Sequence, residues 1–291
     1  MQLTNRLNLP EPIVKALSND TYSSGTANSS VTALIDSPQV KVLTRKHKDE
    51  IVGDVSDRLW SVLGTAVHNM FEDHASGDYL SEERLFAEVL GWKISGAIDI
   101  QKTEADGSIT IMDYKCTSVW SIIFGKDSWA KQLNFYAWLV RQCKGVPVNK
   151  LQIVAVLRDW KQSEAKFKPD YPKSGIVIVD VPLWSTSQQD DFVTQRVALH
   201  QQAEKDYVFD KPIAPCTEDE RWARKSKHAV MKKGRKKAVK LHDSEEEAVA
   251  HCEVLGAGHT VDFRKGESIR CSQYCDVAAF CPQWKQENAD G

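Results

Sequence analysis

WKISGAIDIQKTEADGSITIMDYK, residues 92–115, is the stretch on which the fold of this chain turns. Trp92 to Ile100 and Ser108 to Asp113 are rich in the β-branched and apolar residues that favour strands, and Glu104-Ala105-Asp106-Gly107 between them has the composition of a turn. Leu85 to Leu90, just upstream, reads as a further strand, so the tract predicts a meander. The pairing places Asp99 and Asp113 at adjoining strand ends. Asp113 and Lys115 stand two residues apart, which directs both side chains to one face of a strand and Tyr114 to the other.

Two carboxylates and a lysine at one place suit phosphodiester hydrolysis. The reaction needs carboxylate oxygens to hold Mg2+ or Mn2+, a cation to stabilise charge on the phosphate, and a water in line with the leaving oxygen. Asp99 and Asp113 supply the ligands, and Lys115 supplies a positive charge that neighbouring carboxylates keep protonated. Taken alone, the same residues also read as a turn-flanking acid and an exposed strand edge.

Working outward, Ser30 caps a short helix from Val31 that stops before Pro38, and a second helix runs from Ser61 to His74 and carries His68. The polar run Asn19 to Gly25 reads as surface. Ser128 to Cys143 is a helix with Leu133, Ala137 and Val140 at helical spacing and Gly145 at its exit. Leu151 to Leu157 and Gly175 to Leu183 are strands, Trp160 to Ser174 is a polar excursion, and Asp190 caps a helix over Asp191 to Asp206. Strands alternating with helices predict an α/β core, a central mixed sheet flanked by helices, over residues 1–210.

After Pro212 and Pro215 the composition changes. Ten basic residues and no acid lie between Arg221 and Lys240, which predicts a small basic module over residues 211–291 with a hairpin about Gly234 and a helix from Ser244 to Leu255. Such a surface suits phosphate contacts, with Arg235 and Lys236 at its tip and Trp222 and Trp160 as stacking candidates. Cys271, Cys275 and Cys281 crowd the end of the chain, and Cys216 is the leading fourth ligand for a metal or cluster.

Four motifs in order resemble RecB-like nucleases of the PD-(D/E)XK superfamily: Leu63-Gly64-Thr65-Ala66-Val67-His68, Gly96-Ala97-Ile98-Asp99, Asp113-Tyr114-Lys115 and Gln132-Leu133-Asn134-Phe135-Tyr136. The likeness covers roughly Ser30 to Leu157. It implies a restriction-endonuclease-like core in which His68, Asp99 and Asp113 bind Mg2+ or Mn2+, Lys115 is catalytic, and Gln132 and Tyr136 brace the site and approach DNA. Glu88 is a further ligand candidate, and Thr117 and Ser118 are candidate phosphate donors. The cysteine end resembles that of iron-sulfur-containing members, which implies a 4Fe-4S cluster, with zinc as the alternative. Those relatives place one cysteine upstream, where this chain has Ser37-Pro38. The resemblance further implies exonucleolytic processing of DNA ends in phage or bacterial recombination, replication or repair, with proteins of those processes as partners.

Lys and Arg number 38 against 40 Asp and Glu, so nucleic-acid contact must rest on local patches and not on a cationic whole. No apolar run approaches the roughly 20 residues that cross a bilayer, and the start lacks a secretory layout, which predicts a cytoplasmic protein with no membrane partner; the resemblance implies that the cell is bacterial or a phage-infected host. Oligomeric state leaves no mark that the sequence reveals.

Overall fold

Ser30 Oγ accepts the Ala33 N–H and starts helix α1 (Val31–Ile35), directly after strand β1 (Ser29–Ser30). The helix ends before Pro38 as expected. Pro38 then opens another helix, Pro38–Lys46, because proline's fixed φ and missing N–H suit a first helical turn. These coordinates come from a computed structural model that describes residues 2–19, 26–72, 74 and 76–289; Asp20–Gly25, most of the predicted polar run, and Asp73 lie outside the described residues.

The second predicted helix is α2 (Leu59–Glu72), beginning two residues early because a 3-10 turn over Val55–Arg58, capped by Asp54 and Asp57, leads into it. The meander follows as β2 (Tyr79–Val89), β3 (Trp92–Thr103) and β4 (Ile109–Thr117), then α3 (Val119–Phe124), α4 (Asp127–Lys144), β5 (Val148–Leu157), β6 (Ile176–Val181) and α5 (Thr186–Val208). Leu90 and Gly91, both at positive φ, form the two-residue turn between β2 and β3. The polar excursion after β5 contains a short helix, Gln162–Phe167. Helix α5 starts earlier than expected. Ser185 caps it in a reciprocal box with Gln188, while Asp190 accepts from Trp138 Nε1 and Arg141 instead of capping.

The sheet is mixed. β3 pairs antiparallel with β2 along its length; its other edge meets β1 at Ile94 and Ser95 and β4 at Ile100–Thr103. β4 continues parallel with β5, which pairs antiparallel with β6. Between those two contacts the edge of β3 from Gly96 to Asp99 has no strand partner, so β3 and β4 diverge where the acids lie. Helix α4 packs on the sheet with Leu133, Phe135, Leu139 and Val140 fully buried against Ile94, Ile111, Leu151 and Ile153, each such side chain contributing about 1.5–3 kcal/mol by leaving water. From α5, Arg196 and His200 share one helix face and donate to the Leu34 and Asp36 carbonyls, satisfying the C-terminal end of α1.

The chain forms two compact units, residues 1–42 with 48–213 and residues 43–47 with 214–291. In the second, β7 (Lys227–Lys232) is the centre of a three-stranded antiparallel sheet between β8 (Lys240–His242) and β9 (His259–Arg264), with α6 (Glu245–Leu255) packed on it and capped by Ser244. The hairpin about Gly234 and the helix match expectation; β9 completes the sheet from a stretch that sequence patterning passed over. Arg235 and Lys236 are exposed in the hairpin turn. The cysteine end is a short helix, Ile269–Gln273, a 3-10 turn and a last helix, Pro282–Ala289, which an Arg221–Glu287 ion pair joins to the start of the basic stretch. Among the described residues no helix is long and apolar enough to cross a membrane.

Candidate active site

The divergence of β3 from β4 frees backbone groups that the sheet would otherwise use, and side chains take them up. Asp99 Oδ2 accepts the Tyr114 N–H at 2.8 Å, and His68 Nε2 lies 3.0 Å from the Tyr114 carbonyl oxygen. A carbonyl only accepts, so Nε2 carries the proton when the ring is neutral, and Nδ1 keeps its lone pair. That lone pair faces Asp99 Oδ2 at 3.4 Å and Glu82 Oε1 at 3.9 Å. Ligands around a small divalent ion stand about 3–4 Å apart, and a histidine that donates its other N–H to a backbone carbonyl is the usual arrangement of a metal ligand.

Ligand atoms of His68, Glu82 and Asp99 all lie within 4.8 Å of one another, and among the described residues no other group of three His, Cys, Asp or Glu converges this way. The donor set of one imidazole and two carboxylates fits Mg2+ or Mn2+. Glu82 is the residue that sequence reading missed. It falls opposite Asp99 in the unshifted β2–β3 register, between the pairs Ser81–Ile100 and Glu83–Ile98, and holds a φ of 49°. A left-handed non-glycine residue stores strain that functional sites commonly hold. The only trace in the sequence is the Glu82-Glu83 pair breaking the alternation ahead of Leu85. Glu88, the expected ligand, pairs with Lys93 at the hairpin end, six residues or about 20 Å along the strand. The structure does not bring it to the site.

Asp113 is fully buried beside this triad. Its Oδ1 accepts from Gln132 Nε2 at 2.9 Å, and Gln132 also donates to Tyr136 Oη at 3.1 Å, so one turn of α4 braces the carboxylate. Asp113 Oδ2 lies 2.5 Å from Lys115 Nζ, yet no donor meets it with hydrogen-bond geometry, which leaves it a lone pair for a cation. Tyr114 points the opposite way and packs its ring on Phe71 of α2. Gly96 is required for this approach, since a Cβ there would stand 2.6 Å from Leu139 and 2.9 Å from Tyr136. The triad, Gly96, Asp113, Lys115, Gln132 and Tyr136 line one cavity of about 480 Å³, joined by Glu72 and by Arg84, whose Nη1 is buried without a hydrogen-bond partner.

Crowded acids set the electrostatics. Burial and the Asp113 charge push the Asp99 carboxyl up to about 7. Burial works against protonation of His68, but Glu82, Asp99 and Asp113 together outweigh it and raise the imidazole above its ordinary value. Burial also opposes the charge on Lys115, and Asp113 and Asp99 overcome it, so the ammonium stays protonated. Excess negative charge partly relieved by one lysine is the state of a site built around a cation.

Thr117 and Ser118 serve the scaffold instead of phosphate. Thr117 is buried against Ser121 Oγ, while Ser118 caps α3 and donates to Asp159. Trp160, one stacking candidate, donates Nε1 to the Pro172 carbonyl and packs on the first unit's core; Trp222 is exposed in the second unit beside Tyr274 and Arg270. In that unit Cys216 and Cys281 are buried and Cys271 and Cys275 half-buried, without three sulfurs converging among the described residues.

The family model of the PD-(D/E)XK nuclease superfamily matches residues 36–282. Among curated proteins none matches. Of solved structures, the protein SSO0001 is 17% identical with a TM-score of 0.43, over 65% of this chain and 85% of that one. A protein from Eubacterium rectale with a provisional exonuclease name is 16% identical with a TM-score of 0.32, over 68% of this chain and 73% of its own.

Proposed function

This chain belongs to the PD-(D/E)XK nuclease superfamily, and from that premise we propose that it is a Mg2+- or Mn2+-dependent deoxyribonuclease acting on DNA ends. One observation carries the reading: His68, Glu82 and Asp99 converge in the same cavity as a braced Asp113 and a protonated Lys115. His68, Glu82 and Asp99 hold the ion, with Asp113 Oδ2 turned toward the same space. When bound, a divalent ion supplies Lewis acidity toward the phosphate and lowers the pKa of a coordinated water. Lys115 places its ammonium against the attacked phosphate, stabilising charge that grows as the bond to water forms. Gln132 and Tyr136 hold Asp113 in one rotamer, and Arg84 offers its unpartnered guanidinium nitrogen to a phosphate oxygen. In the second unit, the exposed Arg235 and Lys236 give the substrate backbone further phosphate contacts.

End-labelled DNA tests this. Cleavage is expected with Mn2+ or Mg2+, none in EDTA, and a block on one terminus is expected to stop it. Metal-independent cleavage, or no cleavage of any DNA with either ion, would overturn the proposal; cleavage indifferent to blocked ends would remove the exonuclease part alone.

A separate reading concerns the cysteines. One zinc ion needs its sulfurs about 4 Å apart, which these do not satisfy, whereas a cluster takes each sulfur on a different iron and tolerates wider spacing. Gln283, two residues past Cys281, accepts from the Cys216 N–H and donates to its carbonyl, drawing Cys216 toward the terminal trio. We therefore favour a 4Fe-4S cluster held by Cys216, Cys271, Cys275 and Cys281. Anaerobically purified protein is expected to be brown, with visible absorbance and iron that Cys216→Ala removes; colourless protein containing zinc, or lacking both metals, would refute it.

A further inference from the structure

Large aromatic rings on a protein surface lose free energy in water unless something covers them. Around the mouth of the catalytic strand, three are left open: Trp60 is 52% exposed, Trp120 57% and Phe124 78%. Trp120 and Phe124, one turn apart on α3, stack nearly parallel, with ring centres 5.7 Å apart and planes at 13°. Asp159 fixes the start of that helix by accepting from Val119 N–H and Ser118 Oγ. The rings therefore stand on a supported element and not on a loose loop.

Their position is tied to the cavity. α3 begins two residues after β4 ends at Thr117, which is itself two residues, about 7 Å, beyond Lys115. Arg158 donates its backbone N–H to the Thr117 carbonyl and lays its guanidinium over the Trp60 ring at 4.3 Å. Trp60 lies on α2, about 12 Å along the helix from His68. Lys126 feels the charges of both Arg158 and Lys115, which hold its own pKa below the ordinary value after burial has begun the shift. Arg158 thus links the Trp60 ring to the end of the catalytic strand, with Lys126 within reach of its charge, while Lys161 and Lys168 stand with Asp159, Glu164 and Asp170 in the pocket beside Trp120.

We propose that this rim is a single-strand track, on which unpaired nucleotides entering or leaving the cavity stack their bases on Trp120–Phe124 and Trp60 while Arg158 and Lys126 hold the phosphates. Bases within a duplex hide their faces in the stack, so an aromatic platform selects unpaired strands, and cations alternating with rings match a strand's phosphate-and-base repeat. The inference rests on the nuclease reading for its direction but adds the substrate class, a single-stranded segment, which that reading leaves open. A protein partner would also cover the rings; Arg158 on Trp60 and the neighbouring Lys126 favour the polyanion.

Full-length protein in EDTA, where cleavage is absent, is titrated with fluorescein-labelled oligothymidine, an abasic strand of equal length and a blunt duplex of equal length, and binding is followed by anisotropy. Oligothymidine is expected to bind at least about tenfold tighter than the abasic strand. Replacing both rings, Trp120→Ala with Phe124→Ala, should erase that difference, and Trp120→Phe alone should preserve it. Arg158→Ala should weaken both strands and flatten their salt dependence. Equal binding of oligothymidine and abasic strand by the unaltered protein overturns the proposal without recourse to any variant. So does a double variant that melts normally and still discriminates, or one that changes only the sedimentation of the protein, which would assign the rings to a protein contact. Discrimination without any metal-dependent cleavage would sink the nuclease reading and leave the track standing; cleavage without discrimination would do the reverse.

Discussion

Asp99→Asn will abolish cleavage and, in EDTA at pH 8, raise the melting temperature. The activity loss follows from removing a charged ligand of the convergent triad, and it should exceed the roughly 10- to 100-fold effects typical of residues that only support a ligand. The gain in stability has a separate cause. Folded Asp99 takes up its proton near pH 7, against 3.8 as the ordinary value, because it is buried beside Asp113. Between those limits the folded state binds the proton more readily than the unfolded chain, so stability falls as pH rises and the full cost is present above pH 7. Asparagine still accepts from Tyr114 N–H and carries no charge, so the variant should be more stable at pH 8 by on the order of 3 kcal/mol, with the advantage fading toward pH 4. Added Mn2+ should raise the melting temperature of the unaltered protein and not of the variant. Paired melting curves at pH 8 and pH 4 decide it; a variant less stable than the parent at pH 8 in EDTA would show that Asp99 is not strained by its neighbours.

Glu82→Gln will raise the Mn2+ concentration needed for half-maximal cleavage by about a hundredfold or more, while Glu88→Gln will leave it within about twofold. The argument is positional. Glu82 faces His68 Nδ1 from a backbone at φ 49° opposite Asp99, and Glu88 lies opposite Lys93 at the far hairpin. Amide substitution preserves size, so the strand at Glu82 is kept and the lost charge is isolated. Metal titrations of cleavage with both variants are the check; equal sensitivity of the two positions would remove Glu82 from the ligand set.

Much of the scaffold was legible because its causes are local. Ser30 caps the helix it was expected to cap, the helix expected from Ser244 forms with Ser244 as its cap, Gly145 ends α4 in the left-handed region, and the hairpin forms about Gly234. Asp113 and Lys115 share a face by strand alternation, and Gln132 and Tyr136 meet by helical repeat. Asp190 misled because a competing cap, Ser185 with Gln188, stands one turn earlier, and a tryptophan and an arginine from α4 claim its carboxylate. Thr117 and Ser118 misled because a polar strand exit serves equally to cap the next helix.

By itself, then, the order of residues determined the meander, the helices beside it and the acids and lysine that it carries, since periodicity and capping act over a few residues. Asp99 and Asp113 nevertheless lie inside their strands and not at the expected ends. Which glutamate joins them, where β3 leaves β4, and how the freed Tyr114 peptide recruits both Asp99 and His68 were decided only in three dimensions. Those features depend on register between strands and on a helix arriving 46 residues away in sequence, and no short-range pattern encodes the outcome of such long-range pairing.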